Sequence, residues 1–103
     1  MPENMSDPDP IAALCDIIIE ITAVATRRRL SPGAATGRRD FASLGVDSVN
    51  VFEIILHLET RYSVTLLDTF LFTHRTPAEA AQALHDILGG KSSPNPPDAN
   101  GPP

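Results

Sequence analysis

Ser48 is the residue of this sequence whose type and position best suit chemistry. It follows Gly45, Val46 and Asp47 and stands at the predicted start of a helix. The first backbone N–H groups of a helix have no partner within the helix, and the helix dipole is positive at that end. An anion attached to the serine would be stabilised there. The position therefore favours a phosphate-bearing modification, although an Asp-Ser pair is also an ordinary helix cap.

Catalysis by Ser48 is disfavoured because no base stands beside its hydroxyl. Nucleophilic catalysis needs a base within hydrogen-bond reach. Asp47 is adjacent but too weakly basic, and His57 lies nearly three helical turns away. The other two histidines, His74 and His85, are too far apart in sequence to form a helical zinc site. We therefore expect neither an enzyme nor a metal-binding protein.

The helix that must position Ser48 spans residues 48–62 and carries apolar side chains on two faces. The face expected to lie in the core is formed by Val51, Ile54, Ile55, Leu58 and Tyr62. A second apolar strip, on roughly the opposite side, is formed by Val49, Phe52 and Leu56. Such a strip is either covered by the preceding loop or a short third helix, or it is exposed and binds partners. We favour partner binding, since few helices are available to bury both faces.

Composition excludes several other classes of protein. The 103 residues carry a net charge of −5, which disfavours nucleic-acid binding. The basic residues Arg27–Arg29, Arg38 and Arg39 are interpreted as a solvated helix end and loop. A single cysteine, Cys15, excludes an internal disulfide and is expected to pack in the core. No apolar run reaches membrane-spanning length, and the acidic N-terminus lacks a signal-peptide pattern, so we expect a cytoplasmic protein.

An all-α bundle of three main helices and one short helix is predicted. The first begins with Asp9 as N-cap and Pro10 at the first position, and it ends at Arg27–Arg29. Its apolar stripe consists of Ile11, Leu14, Ile17, Ile18, Ile21, Val24 and Ala25. A long loop over residues 30–47 follows, anchored by Phe41 and Leu44.

The last two predicted helices follow residue 62. Asp68 is expected to cap a short helix that carries residues 70–72, and residues 76–79 form a capping box for the last helix. The inner face of that helix is expected to contain Ala80, Ala83, Leu84, Ile87 and Leu88, and Gly89-Gly90 should end it. Eight of the ten prolines lie in the first ten and last ten residues. We therefore expect a folded domain over residues 10–90, with disordered segments at 1–9 and 91–103.

Residues 41–49, Phe-Ala-Ser-Leu-Gly-Val-Asp-Ser-Val, and the helix that follows them resemble the acyl carrier protein family. The resemblance covers about residues 11–88 and continues through Thr-Pro-Ala-Glu at 76–79. It implies a four-helix carrier bundle and a monomer. It also implies that a phosphopantetheinyl transferase attaches 4'-phosphopantetheine from coenzyme A to Ser48, with Asp47 beside the arm. The thiol of the arm would then carry acyl groups as thioesters.

The resemblance further implies that the second helix is the docking surface for acyl-loading and condensing enzymes. The docking residues would be Val49, Phe52, Glu53, Leu56 and Glu59. Longer cargo could enter the bundle between walls formed by Ile54, Ile55, Leu58 and residues 70–72.

The second helix departs from carriers of primary fatty acid synthesis, in which it is usually densely acidic. Here residues 48–62 contain two acidic residues and one basic residue, a net charge of −1. This favours a specialised pathway such as polyketide biosynthesis. A carrier of fatty acid synthesis and an unmodified helical adaptor remain the alternatives.

Overall fold

The computed structural model describes residues 9–89, and within them the chain is all-helical without strands. The helices are α1 (Pro10–Thr26), α2 (Ala34–Gly37), α3 (Ser48–Tyr62), α4 (Phe70–Thr73) and α5 (Pro77–Leu88). The predicted fold class and its four helices are confirmed. The long loop additionally contains α2 and a 3₁₀ turn, Ala42–Leu44, which were not predicted. The segments expected to be disordered fall almost wholly on residues 1–8 and 90–103, which lie outside the described residues.

The start of α1 is as predicted, but its end is not. Asp9 is the N-cap, and its side chain accepts a hydrogen bond of 3.0 Å from the N–H of Ile11. At the other end α1 stops at Thr26, because Arg27 adopts the left-handed conformation with φ of 59°. The prediction that the arginines form the last helical turn is therefore wrong, and Arg27–Arg29 follow the helix.

The buried face of α1 is centred on Ile18, Ile19 and Thr22, all of them at most 1% exposed. Thr22 is tolerated in the core because its hydroxyl donates to the carbonyl of Ile18 at 2.7 Å. Val24 was predicted to belong to the apolar stripe, but it is 65% exposed. It lies on the side of α1 that faces away from the core centre, so the predicted stripe was too wide.

The core lies between α1, α3 and α5, with α1 making its most extensive contacts with α5. Cys15 is buried there, as predicted. A β-carbon added at Gly37 would lie 2.7 Å from the Sγ atom of Cys15, so the glycine allows α2 to approach α1 closely. Phe41 and Leu44 are buried and anchor the long loop, also as predicted.

The short helix α4 does not begin as predicted, since its N-cap is Thr69 and Asp68 lies before it in a turn. At α5 the N-cap Thr76 accepts from the N–H of Glu79 at 3.1 Å, as predicted. The Glu79 carboxylate, however, accepts from the N–H of Arg75 at 3.0 Å instead of that of Thr76. The second hydrogen bond of the predicted capping box therefore has as its donor the residue before the N-cap.

The inner face of α5 differs from the prediction at two positions. Ala80 and Leu84 are fully buried as expected, and Ala81 is buried as well. Leu88 is exposed at the C-terminal end of α5, and Gly89 follows as C-cap. Among residues 9–89, no helix has the length and apolar character needed to cross a membrane. Over the same residues, no group of three potential metal ligands comes together.

Candidate attachment site

Ser48 is the first residue of α3 and is exposed to solvent. The residue before it, Asp47, is the N-cap, and its Oδ1 accepts a hydrogen bond of 2.9 Å from the N–H of Asn50. The Asn50 Oδ1 in turn accepts from the N–H of Asp47 at 3.0 Å. This reciprocal capping box fixes the backbone on both sides of Ser48 and leaves its side chain pointing away from the core. Asp47 therefore acts as the cap of α3.

Asn50 also connects α3 to α1. Its Nδ2 donates to the main-chain carbonyl of Ala25 at 2.9 Å and to the Oε1 of Glu53 at 3.2 Å. The first of these bonds links the beginning of α3 to the last turn of α1, 25 residues earlier in the sequence. In the sequence, Asn50 falls outside both apolar faces of α3. No periodicity or local motif could have shown that its amide reaches another helix.

The loop that leads to Ser48 is held by a tight turn around Gly45. Gly45 has φ of 97°, a conformation that glycine adopts without the strain imposed by a β-carbon. A β-carbon there would also collide with the side chain of Arg28, which lies across this turn. The N–H of Val46 donates to the carbonyl of Phe41 at 3.1 Å, which closes the loop.

A groove of about 360 Å³ opens beside Ser48. Its apolar walls are formed by Phe41, Val46, Val51, Leu71 and Phe72. The residues predicted as cargo walls divide between this groove and the core. Leu71 and Phe72 line the groove, whereas Ile54, Ile55, Leu58 and Phe70 are packed in the core and do not. The groove is formed by the loop before α3 and by α4, and it lies outside the filled centre of the bundle.

The second apolar strip of α3 is exposed, so the alternative that a loop or short helix covers it is wrong. Val49, Phe52 and Leu56 are 65%, 61% and 63% exposed. Glu53 is exposed on the same helix, but Glu59 is half-buried. The Oε2 of Glu59 accepts a hydrogen bond of 2.8 Å from the N–H of Leu66. Glu59 thus fixes the segment that follows α3, a role that its spacing in the sequence did not indicate.

The thiol of Cys15 lies apart from this site. Burial raises its pKa, and the nearby carboxylate of Asp16 raises the pKa further. A thiol with a raised pKa is a poor nucleophile at neutral pH. Cys15 is therefore a core residue and not a candidate nucleophile.

The residues around Ser48 fit a phosphopantetheine group. Ser48 is accessible to a modifying enzyme, and a phosphate on its oxygen would lie at the N-terminus of the fifteen-residue helix α3. The groove begins at the same serine and offers apolar walls to the arm. His57, the histidine of α3, is exposed more than two turns further along the helix and does not line the groove with Ser48.

Comparisons with known proteins agree with this geometry. The family model described as "Phosphopantetheine attachment site" matches residues 12–84. Acyl carrier protein 1, chloroplastic, of Casuarina glauca is 26% identical over 83 residues, which cover 79% of this chain and 61% of that protein. The chain is also similar to the structure of BlmI, a type-II acyl carrier protein from Streptomyces verticillus involved in bleomycin biosynthesis. For BlmI the TM-score is 0.68 and the identity 25%, over 85% of this chain and 99% of that one.

The family model covers more than half of this chain, and both relatives are acyl carrier proteins. The fold, the capped helix and the site agree with that assignment. The protein is therefore a member of the acyl carrier protein family, whose members carry a covalently attached 4'-phosphopantetheine and are not catalysts.

Proposed function

We propose that Ser48 is the attachment point of the phosphopantetheine arm and that the protein delivers thioester-bound acyl intermediates to partner enzymes. The observation that carries the proposal is the position of Ser48, an exposed hydroxyl at the N-terminus of α3 and at the edge of an apolar groove. The chain spans 61% of the chloroplast relative's length, so its partners and cargo are inferred from its own surface.

The loading step requires only that Ser48 be accessible and correctly oriented. Its Oγ attacks the phosphorus of coenzyme A that is bonded to pantetheine, and a new P–O bond forms. The P–O bond to the second phosphorus breaks, 3',5'-ADP leaves with the electron pair, and the transferase accepts the serine proton. The capping box of Asp47 and Asn50 holds the backbone of Ser48 in place during this step.

The attached group supplies a thiol at the end of a flexible arm, and the thiol holds the acyl cargo. The protein holds this arm, and the tethered cargo thereby reaches a raised effective concentration at each partner active site. The groove of about 360 Å³ is at the lower end of the size range of small-molecule sites, so it suits the arm with a short acyl group. Longer chains would extend beyond it, because the bundle interior is filled by Ile54 and Leu58.

The experiment is to incubate the protein with coenzyme A and a broad-specificity phosphopantetheinyl transferase and then measure the intact mass. We expect one phosphopantetheinyl addition to the unaltered protein and none to Ser48→Ala. Ser43→Ala is the matched control, since Ser43 is an exposed serine in the loop that precedes α3. It should be loaded like the unaltered protein. Absence of any addition to a folded, helical protein would contradict the proposal and favour the unmodified adaptor.

We further propose that the carrier serves a specialised pathway such as polyketide biosynthesis. The support is the low charge of α3, in which Arg61 offsets one of the carboxylates of Glu53 and Glu59. Weak negative charge lowers electrostatic attraction to a basic enzyme surface. We expect slower acyl transfer with enzymes of primary fatty acid synthesis than a housekeeping carrier shows. Equal kcat/KM values for the two carriers would favour the fatty acid alternative.

A further inference from the structure

A second groove, of about 470 Å³, lies between α4 and α5. It shares no lining residue with the groove beside Ser48. Phe70 and His74, which are four positions apart, line the second groove, whereas Leu71 and Phe72 line the first. The short helix α4 thus separates the two grooves and offers a different side to each. We call the second one the α4–α5 groove.

Most of the surface of the α4–α5 groove is apolar. On one side it is lined by Leu66 and Phe70, which are buried, and on the α5 side by Ala83 and Ile87, which are half-buried. Leu67 lines the same groove and is 68% exposed. A large aliphatic side chain held in solvent beside an apolar recess is typical of a surface that contacts another molecule.

The α5 side of the groove also carries two carboxylates, those of Glu79 and Asp86. Gln82 lies between them on the same side of the helix, and its Nε2 donates to the Oδ1 of Asp86 at 3.2 Å. The Oε1 of Glu79 accepts from the N–H of Arg75 at 3.0 Å. Each of these bonds uses one carboxylate oxygen, so the second oxygen can accept a bond from a basic group of a partner.

Among residues 9–89, no lysine or arginine lines the α4–α5 groove to compensate these carboxylates. Arg75 lines the groove beside Ser48 instead, and the guanidinium of Arg61 lies over the ring of Tyr62, 5.9 Å from its centroid. Even with both arginines counted and histidine neutral, residues 59–89 contain four carboxylates and two guanidinium groups, a net charge of −2. The α4–α5 groove is therefore an apolar recess bordered by negative charge.

We propose that the α4–α5 groove binds an amphipathic helix of a partner protein, at a place distinct from the apolar strip of α3. The carboxylates of Glu79 and Asp86 are seven positions apart, which is about 10 Å along α5 at about 1.5 Å per residue. A helix lying along α5 would meet both of them with lysine or arginine at two positions seven apart. Leucine-like side chains on the same face would fill the apolar part of the groove. The proposal goes beyond the carrier function, because neither Ser48 nor an arm takes part.

The two features of the groove have different roles in this contact. Burial of Leu67 and of the partner's apolar side chains contributes most of the binding free energy. The carboxylates of Glu79 and Asp86 select a basic partner and accelerate its association, because opposite charges attract each other before contact. An acidic helix would be repelled.

Two other occupants fit the groove less well. Residues 90–103 follow α5 directly, but they contain no valine, leucine, isoleucine, methionine or aromatic residue that could fill an apolar recess. A second copy of the chain, packed symmetrically through this groove, would bring Glu79 and Asp86 against the same carboxylates. A basic partner helix matches both the apolar surface and the charge.

The test uses the full chain, isotope-labelled for NMR, and two synthetic peptides. Both peptides form an amphipathic helix with leucines on one face. The first has arginine at two positions seven apart beside that face, and the second has glutamate at these positions. We expect the arginine peptide to shift the amide signals of residues 65–74 and 79–87 and to leave those of residues 48–56 unchanged. The glutamate peptide should not bind.

Leu67→Ala and Leu56→Ala form a matched pair, because these leucines are 68% and 63% exposed and only the first of them lines the groove. Leu67→Ala should raise the Kd of the arginine peptide about fivefold, and Leu56→Ala should change it less than about twofold. Asp86→Asn should raise it about threefold, whereas Glu20→Gln, at an exposed carboxylate of α1, should leave it unchanged. Circular dichroism first establishes that each variant is helical.

Three results of the titration would overturn the proposal. Shifts confined to residues 48–56 would place the peptide on the apolar strip of α3. Equal affinities for the two peptides would show that the carboxylates do not select the partner. Absence of binding at about 1 mM peptide would show that the groove does not hold such a helix.

Two further outcomes would assign the groove to another occupant and would also overturn the proposal. Tighter peptide binding after Lys91→Ala would show that residues 90–103 compete for the groove. Groove signals that shift with protein concentration alone would show that a second copy occupies it. Ser48→Ala should bind the arginine peptide as the unaltered protein does. Failure of the carrier function is therefore detected by the mass measurement, and failure of this proposal by the peptide titration.

Discussion

The Nδ2 atom of Asn50 donates a hydrogen bond of 2.9 Å to the main-chain carbonyl oxygen of Ala25. The same amide group supplies the second half of the capping box with Asp47. One side chain therefore fixes the first turn of α3 and joins it to the last turn of α1. Since Ser48 lies inside that turn, the position of the proposed attachment site depends on packing between the two helices as well as on the local cap.

We expect Asn50→Asp to destabilise the fold by about 1–2 kcal/mol. The aspartate retains an acceptor for the N–H of Asp47, but it cannot donate to Ala25, and it places a second carboxylate beside Asp47. Urea unfolding followed by circular dichroism measures the change. Thr60→Ala, an exposed position on the same helix, is the control and should alter the free energy of unfolding by less than about 0.5 kcal/mol. Equal effects of the two substitutions would show that the Asn50 link contributes no stability.

Glu59 provides a second test of a contact that joins an α3 side chain to another segment. Glu59→Ala removes the acceptor for the N–H of Leu66, and Leu66 is a buried residue. The substitution should lower the free energy of unfolding by about 1–2 kcal/mol. Glu59→Gln keeps an acceptor oxygen and should recover part of this loss. Glu20→Ala, at an exposed carboxylate of α1, is the control for the loss of a negative charge. A loss as large in Glu20→Ala would mean that charge, and not the bond to Leu66, causes the effect.

The main helices, the core face of α3 and the exposed strip around Phe52 were predictable because periodicity along one helix determines which residues share a face. The Asn50–Ala25 bond was not, because it joins residues 25 positions apart and depends on how α1 and α3 pack. The Glu59–Leu66 bond was not, because it depends on the path that the chain takes after α3. The end of α1 was missed for a local reason, since Arg27 adopts a left-handed conformation that its residue type does not favour.

The buried thiol of Cys15 should make stability depend on alkaline pH. Burial, with a smaller contribution from Asp16, raises its pKa in the folded protein, so the folded state retains a proton that the unfolded state loses. This contribution is fully present below the ordinary thiol pKa of about 8.5 and is lost as the pH rises through the folded value. The free energy of unfolding should therefore fall more steeply above that pH in the unaltered protein than in Cys15→Ala. Parallel pH profiles would contradict this.

Val49 and Val24 offer a matched pair for testing whether the second apolar strip of α3 contacts partners. Both are valines on a long helix, and both are 65% exposed. Neither Val49→Ala nor Val24→Ala should change the free energy of unfolding by more than about 0.5 kcal/mol, since neither side chain packs in the core. On contact with a partner, however, Val49 lies one residue from Ser48 and would be covered, whereas Val24 lies on α1. Loss of two buried methyl groups should reduce kcat/KM for acyl transfer to loaded protein about fivefold for Val49→Ala and leave Val24→Ala unchanged. Phe52→Ala should have a larger effect than Val49→Ala because more apolar area is removed. Equal transfer rates for all three variants would show that this strip of α3 does not contact the enzyme during transfer.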